Sequence, residues 1–301
     1  MNNLRITTEQ LARICGVSQG TVDRALNDRP GISRKTKEKV LEAAKNYGWR
    51  QSSGNTKEAF HTPIVGIIVF DLNNDFFARL ITDFEEIAHS KGIFTTILFT
   101  HYDQAAEVEC LRWLDSCGAD AAVLCSVNSG QIFENFLAEL SMPIIAIGNK
   151  TANIPYVGID DFAAMKAAAR HLFSLYRMVI YFSPAMRYPN AFAQRKRFEG
   201  FMSEAANNAQ YSVITSIDNI LPEYPSDTAI LCSTDYYAMQ VYTHTSNVKI
   251  MGFDNLSMID KLKLPIDSVD YDTSLIAKEV FMLIETGQQH DIIIPYSLVL
   301  R

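Results

Sequence analysis

The chain has 301 residues, 48% of them apolar, with 27 Lys and Arg against 34 Asp and Glu, a formal net charge of −7. It is long enough to bury a large core in more than one domain. Its five cysteines form no CxxC pair and its six histidines no metal-ligand spacing, and no apolar run approaches the roughly 20 residues of a membrane helix, so a disulfide framework, a metal site and a membrane span are excluded.

The charge is not evenly spread. Met1 to His61 carries 11 Lys and Arg against 6 Asp and Glu, a net of +5, and the remainder 16 against 28, a net of −12. A basic head on an acidic body meets a polyanion in one orientation only. The first residues, Met1-Asn2-Asn3-Leu4-Arg5, lack the apolar core of a secretion signal, so the expected location is the cytoplasm.

Within the head, Thr8 to Cys15 has helical apolar spacing at Leu11, Ala12, Ile14 and Cys15, and Gly16 follows where a chain leaving a helix takes positive φ. Ser18 stands at an N-cap position. From Gln19 to Leu26 a second helix turns Val22, Ala25 and Leu26 inward and leaves Gln19, Gly20, Asp23, Arg24 and Asn27 outward. Ser33 caps a third helix from Arg34 to Tyr47, with Val40, Leu41, Ala44 and Tyr47 on one stripe. The spacing predicts a small all-α helix-turn-helix domain over 1–50, its second helix shaped for a major groove.

Residues 51–62 are polar, with Ser52, Ser53 and Gly54, and are expected to be a linker or hinge. After Pro63, apolar runs alternate with amphipathic stretches. Strands are expected at Ile64–Phe70, Phe94–Phe99, Ala121–Leu124, Ile144–Ile147, Met178–Phe182, Ser212–Ser216, Ala229–Cys232 and Lys249–Gly252. Helices are expected at Phe76–His89, Ala105–Cys117, Gln131–Leu140, Phe162–Leu175 and Ala191–Ala205. This alternation implies α/β architecture with parallel sheets flanked by helices. A break near Val157 to Asp161 divides 63–301 into two lobes, one of about 63–158 and 272–288, the other of about 159–271 and 289–301. From Ile217 to Thr228 only about a dozen residues join two strands, near the lower limit for a crossover, and Pro222 and Pro225 preclude a full helix.

Ligands of parallel sheets sit beyond the carboxyl ends of the strands. The residues there are Asp71–Phe77, Ser126–Ser129, Gly148–Lys150, Ser183–Tyr188, Ser233–Tyr236, Phe253–Asn255 and Asp270–Thr273, a set rich in Asp, Asn, Ser and aromatics. Paired bases and nucleophiles are missing from it, and the chain has no Gly-rich phosphate loop or GxGxxG fingerprint, so neither an enzymatic activity nor a cofactor is expected.

The order Leu11-Ala12, Gly16-Val17-Ser18, Thr21 through Asn27, Val40 through Ala44 and Tyr47-Gly48-Trp49-Arg50 resembles the head of LacI/GalR-type transcriptional regulators. The body resembles the family's two-lobed, type I periplasmic-binding-protein-like effector domain in Ile64 through Val69, Asn74-Asp75-Phe76-Phe77, Val157 through Asp161, Arg197 through Phe201 and Lys249 through Asp254. The resemblance implies a repressor, dimeric on a palindromic operator, nucleoid-associated when bound, whose affinity for double-stranded DNA is set by a small metabolite.

The resemblance also places roles. Gln19 and Gly20 fall at the base-reading positions, with Arg24 the adjacent base contact; Gly20 leaves one reading position blank. Ser18, Thr21 and Asn27 match phosphate contacts. Two roles are open for Asp23: accepting from a cytosine amine, or buttressing Arg24. In the body, Arg197 matches a ligand-gripping arginine, Asp235 and Asp254 match acidic or amide positions of the cleft, Phe76 or Phe77 the aromatic wall, and Tyr271 a polar contact. Asp71, which follows the first strand, joins them. Asp254 as a helix cap and Phe76 as core are the structural alternatives. Carboxylates, an arginine and an aromatic face suit a sugar or polyol, with a purine the other choice.

Departures from the family pattern are equally specific. Gln51-Ser52 replaces Pro-Asn in the linker, and no Leu stands between Gln51 and Thr62 to wedge into a minor groove. Gly148-Asn149 replaces the usual Asp after the fourth strand, which loses that sugar contact or passes it to Asn149. The competing reading is a sugar-binding protein or sugar enzyme with no DNA function; turnover assays discriminate it.

Overall fold

Three short helices, α1 (Thr8–Cys15), α2 (Gln19–Leu26) and α3 (Arg34–Asn46), form the first unit of the computed structural model, which describes residues 8–46, 63–72, 75–185, 188–208 and 210–301. Leu11, Val22 and Val40, all without exposure, are its core, with Ala12, Cys15, Ala25 and Ala44 around them. Ser18 Oγ accepts from the Thr21 amide and Ser33 Oγ from the Thr36 amide, so each later helix starts on a serine cap. Gly16 turns between α1 and α2 at φ +64°, where a Cβ would be strained. The linker 51–62 lies outside the described residues.

The second unit, Thr62–Arg301, begins with β1 (Ile64–Val69), α4 (Asp75–Ser90), β2 (Phe94–Phe99), α5 (Gln104–Ser116), β3 (Ala121–Leu124), α6 (Gln131–Glu139), β4 (Ile144–Ile147) and β5 (Tyr156–Ile159). There follow α7 (Asp161–Leu175), β6 (Met178–Phe182), α8 (Phe192–Ala205), β7 (Tyr211–Ile214), β8 (Thr228–Cys232), α9 (Asp235–His244), β9 (Lys249–Met251), α10 (Ser257–Lys261) and β10 (Ile266–Tyr271). The chain closes with α11 (Thr273–Thr286), β11 (Ile292–Ile294) and β12 (Tyr296–Val299).

Two six-stranded sheets result. The first, ordered β11-β5-β4-β3-β1-β2, is wholly parallel; the second, β12-β10-β9-β8-β6-β7, is parallel except for β12, which runs against β10. Their central strands are apolar on both faces because helices cover both: β3, β4 and β8 are buried at every residue. Asp103, Asp160, Thr234 and Asp272 cap α5, α7, α9 and α11 through bonds to backbone amides. Helices α7 and α8 meet closely at Gly200, where a Cβ would stand 2.4 Å from the Phe162 carbonyl oxygen.

Three stretches of chain pass between the lobes, at Asp160, Asp272 and Pro295, and the boundaries differ from those read in the sequence. The segment read as a break, 157–161, holds all but the first residue of β5, the neighbour of β4 in the first sheet. Residues 289–301 were assigned to the second lobe, yet β11 pairs in parallel with β5 in the first, and only β12 belongs to the second. Both strands are short, and β10 was missed because Asp267 and Ser268 interrupt its apolar run. These two are buried with partners: Asp267 with Lys249 at 2.7 Å and Ser268 with Asp235 at 2.7 Å. Between β7 and β8 lies only a short 3-10 turn, Ile217–Asn219, and no α-helix.

Candidate effector cavity and DNA-reading helix

The carboxyl ends of both sheets face a cavity of about 300 Å³, the size of one small ring-shaped metabolite. At its floor lies Arg197, which α8 projects from the second lobe and which is 7% exposed. Its Nε donates to Asp161 Oδ1 at 2.8 Å, Nη1 to the Ser233 carbonyl at 2.8 Å, and Nη2 to Asp254 Oδ1 at 3.4 Å. The guanidinium also lies 3.6 Å from the centre of the Phe253 ring. Burial opposes its charge, but Asp161 and Asp254 more than offset that and hold it protonated. Asp161 begins α7, and burial pushes its pKa up to about 6 against the pull of Arg197. Tyr271 donates to Asp254 Oδ1 at 2.9 Å; burial, then the Asp254 charge, keeps the phenol protonated.

Asp254 sits at φ +102° and Asn255 at φ +46°, conformations that cost non-glycine residues about 1–3 kcal/mol each. The surroundings hold this turn. The Asp254 amide donates to the Val269 carbonyl at 3.0 Å and the Asn255 amide to Ser268 Oγ at 2.9 Å, while Arg79 reaches the Asp254 and Asn255 carbonyls at 3.2 and 3.3 Å. Asp254 therefore presents its carboxylate to the cavity from a fixed turn and caps no helix. Asp235, expected in the cleft, does not line it. It is wholly buried behind the turn, accepting from the Leu256 amide at 2.8 Å and from Ser268 Oγ at 2.7 Å. Burial, then the neighbouring Asp254, raises its pKa to about 8. Its role is to position the Asp254 turn.

The first lobe, with Tyr188 of the second, supplies an aromatic wall. Phe70 stacks on Tyr102 at 4.7 Å between centroids and meets Phe77 edge-on at 5.6 Å, and Tyr188 lies within 5.5 Å of both Phe70 and Tyr102. Phe76 and Phe77 both line the cavity, and Phe76 meets Tyr271 at 5.6 Å. Asp71 lines it too; burial first, then the charge and hydrogen bond of Asp71, keep the Tyr102 hydroxyl protonated. Asn149 borders the cavity with both amide ends engaged. Nδ2 donates to the Ser126 carbonyl at 3.0 Å and Oδ1 accepts from the Ala193 amide at 3.2 Å. It ties the lobes together across the seam.

The sequence reading missed Asp161, Tyr102 and Gln194, which line the cavity, and named Tyr188 only as part of a loop. Signals for the first two existed. Tyr102 lies just beyond β2 and Asp161 just beyond β5, the position already inspected for other strands. Gln194 precedes Arg197 by three on α8, and so shares its face.

In the first unit, Gln19, Gly20 and Arg24 are exposed on α2. Gln19 Nε2 donates to Thr8 Oγ1 at 2.9 Å, and the hydroxyls of Ser18 and Thr21 bond each other at 2.9 Å. Asp23 does not buttress Arg24. It pairs with Arg29 at 3.0 Å and accepts from Asn27 Nδ2 at 2.7 Å, and among the described residues no side-chain partner holds the Arg24 guanidinium. A guanidinium exposed on a helix surface can direct two of its N–H donors at a base edge.

Residues 7–52 match the family described as bacterial regulatory proteins, lacI family, and residues 62–248 match periplasmic binding proteins and sugar binding domain of LacI family. Catabolite control protein A of Priestia megaterium is 24% identical over 99% of this chain and 99% of its own length. Two solved structures share the fold. A periplasmic binding protein/LacI transcriptional regulator from Alkaliphilus metalliredigens QYMF, complexed with D-xylulofuranose, aligns with a TM-score of 0.68 at 21% identity over 79% of this chain and 97% of that one. The lac repressor dimer bound to operator and the anti-inducer ONPF aligns at 0.70 with 15% identity over 99% and 98%. The two matches together span most of the chain, which belongs to the LacI family of DNA-binding transcriptional regulators.

Proposed function

We propose that the chain is a cytoplasmic, homodimeric repressor whose grip on a palindromic operator is set by one small polyhydroxylated metabolite held between the lobes of residues 63–301. The observation that carries this reading is the arrangement around Arg197. Buried carboxylates at Asp161 and Asp254, the Tyr271 hydroxyl and a wall of Phe76, Phe77 and Tyr102 surround a cavity of about 300 Å³. Carboxylates accept from vicinal hydroxyls, and aromatic faces cover the apolar side of a sugar ring. The D-xylulofuranose bound by the regulator from Alkaliphilus metalliredigens QYMF is of this chemical kind. Arg24 and Gln19 are assigned to base edges, Gly20 to a position without readout, and Ser18, Thr21 and Asn27 to phosphates. The operator is a palindrome because a two-fold dimer presents two copies of α2.

The binding partners divide by assay. Footprinting on fragments that flank the gene should reveal a protected palindrome whose occupancy changes when sugars or polyols are added. Absence of any protected palindrome, with and without those compounds, overturns the reading. Turnover of a sugar by the purified chain would favour the competing enzymatic one.

A further inference from the structure

Hydroxyl recognition alone does not account for the charge of the cavity. Among the described residues it is lined by three carboxylates, Asp71, Asp161 and Asp254, and by one cation, Arg197. That cation is already engaged on each of its nitrogens, which donate to Asp161, Ser233 or Asp254, and one of its faces lies against Phe253. Two phenol protons are likewise taken, Tyr102 by Asp71 and Tyr271 by Asp254. Gln194 adds a further acceptor: its Oε1 is buried, borders the cavity and has no hydrogen-bond partner. Negative charge thus exceeds positive charge among the described lining residues. A phosphate or carboxylate placed here would meet like charge in a partly desolvated site, which is costly.

We infer that the effector carries a protonated amine as well as hydroxyls, with its ammonium group placed by Asp71 and against the rings of Phe70, Tyr102 and Tyr188. An ammonium gains from a carboxylate and from the negative faces of aromatic rings together, and the three rings lie within 5.5 Å of one another beside Asp71. The hydroxyls of the same molecule reach Asp254, Asp161 and Gln194 on the second lobe, across from Asp71. The chemistry is that of an amino sugar or aminocyclitol. This inference rests on the effector role proposed above and narrows its ligand class.

Calorimetric titration of the full-length protein tests it with matched sets: D-glucosamine, D-galactosamine, D-mannosamine and 2-deoxystreptamine, each beside its neutral hydroxyl parent and, for the hexosamines, the N-acetyl and 6-phosphate forms. At least one amine should bind more than tenfold tighter than its neutral parent, with acetylation or phosphorylation removing the gain. Its affinity should fall as the pH rises through the pKa of the amine, while that of the neutral parent stays flat. Asp71→Asn should bring the amine-to-parent ratio towards one. Neutral parents that bind as tightly as the amines, or a phosphorylated form that binds tightest, would overturn the inference while leaving a sugar-controlled regulator intact. Failure of every amine to bind at millimolar concentration overturns it as well, and operator footprinting then judges the regulator separately.

Discussion

Asp235→Asn separates a carboxyl that positions from one that binds. Asp235 is buried, and its pKa is raised from 3.8 to about 8, chiefly by burial and then by Asp254. The folded chain therefore keeps a proton that the unfolded chain releases above pH 4. The stability tied to that proton is complete below the unfolded pKa and is lost as the pH rises through the folded one. Between the two, each pH unit withdraws about 1.4 kcal/mol. From pH 5 to pH 8 the wild type should lose about 4 kcal/mol relative to a variant that does not titrate at this site. Asparagine fits the same bonds: its Oδ1 accepts from the Leu256 amide, its Nδ2 donates to Ser268 Oγ, and the Ser268 proton turns to the Val269 carbonyl at 3.3 Å. Urea denaturation across pH 5 to 9 reads the difference. Asp235→Ala is the control: it leaves the Leu256 amide without its side-chain acceptor and should lie about 1–3 kcal/mol below Asp235→Asn at every pH, since neither variant titrates at this site. Parallel stability profiles for the wild type and Asp235→Asn would refute this account of a neutral, positioning carboxyl.

Arg197→Ala strands Asp161 and Asp254 without their shared cation, so it should cost about 3–5 kcal/mol in denaturation and abolish the effect of effector on operator binding. An unchanged response would mean that the ligand sits elsewhere. Gly200→Ala sets a methyl group 2.4 Å from the Phe162 carbonyl oxygen; forcing α7 and α8 apart should cost about 1–3 kcal/mol, read as a lower melting temperature, and a silent substitution would refute the tight helix contact. Arg24→Ala should weaken operator binding by about 1–3 kcal/mol and relax base preference. Thr21→Val should instead weaken binding to operator and to random duplexes alike, and equal losses from both variants on both DNAs would contradict this division.

Much of this was legible before any coordinates. The rule that ligands lie beyond strand carboxyl ends picked out the segments that hold Asp71, Asn149 and Asp254, and the family resemblance singled out Asn149, Asp254 and Tyr271 within such segments; all four line the cavity. It failed where strands went unrecognised. Asp161 follows β5, which is only four residues long and was read as a break, and so it escaped inspection. Asp235 failed in the opposite sense. It follows β8 as a binding residue would, but the side chain of a helix's first residue can turn inward as readily as outward, and Gly252, which packs against it, makes room behind the sheet ends. Asp23 shows the same limit on a helix surface. Spacing places it next to Arg24, yet the loop that returns Arg29 to it belongs to tertiary structure.

The bonds that close the lobes and the groups that border the cavity are in large part the same. On one side, Asn149 accepts from the Ala193 amide, and the Asn190 amide donates to the Val127 carbonyl at 3.0 Å. Glu107, buried on α5, braces that edge from behind by accepting from Ser126 Oγ and the Val127 amide, each at 2.6 Å. On the other, Arg79 of the first lobe holds the carbonyls of Asp254 and Asn255, and Ser257 meets Asp75 at 3.1 Å. Each such neutral bond contributes about 1 kcal/mol net, and each to a charged group about 1.5–3. These contacts between the lobes are individually weak, and several are made by the backbone of residues whose side chains border the cavity. A molecule bound to Asp254 immobilises the turn that Arg79 grips, and one packed against Asn149 fixes the amide that Ala193 reaches. Binding and closure share atoms, so an effector needs no separate relay to favour the closed lobes; its differential affinity for them is the switch.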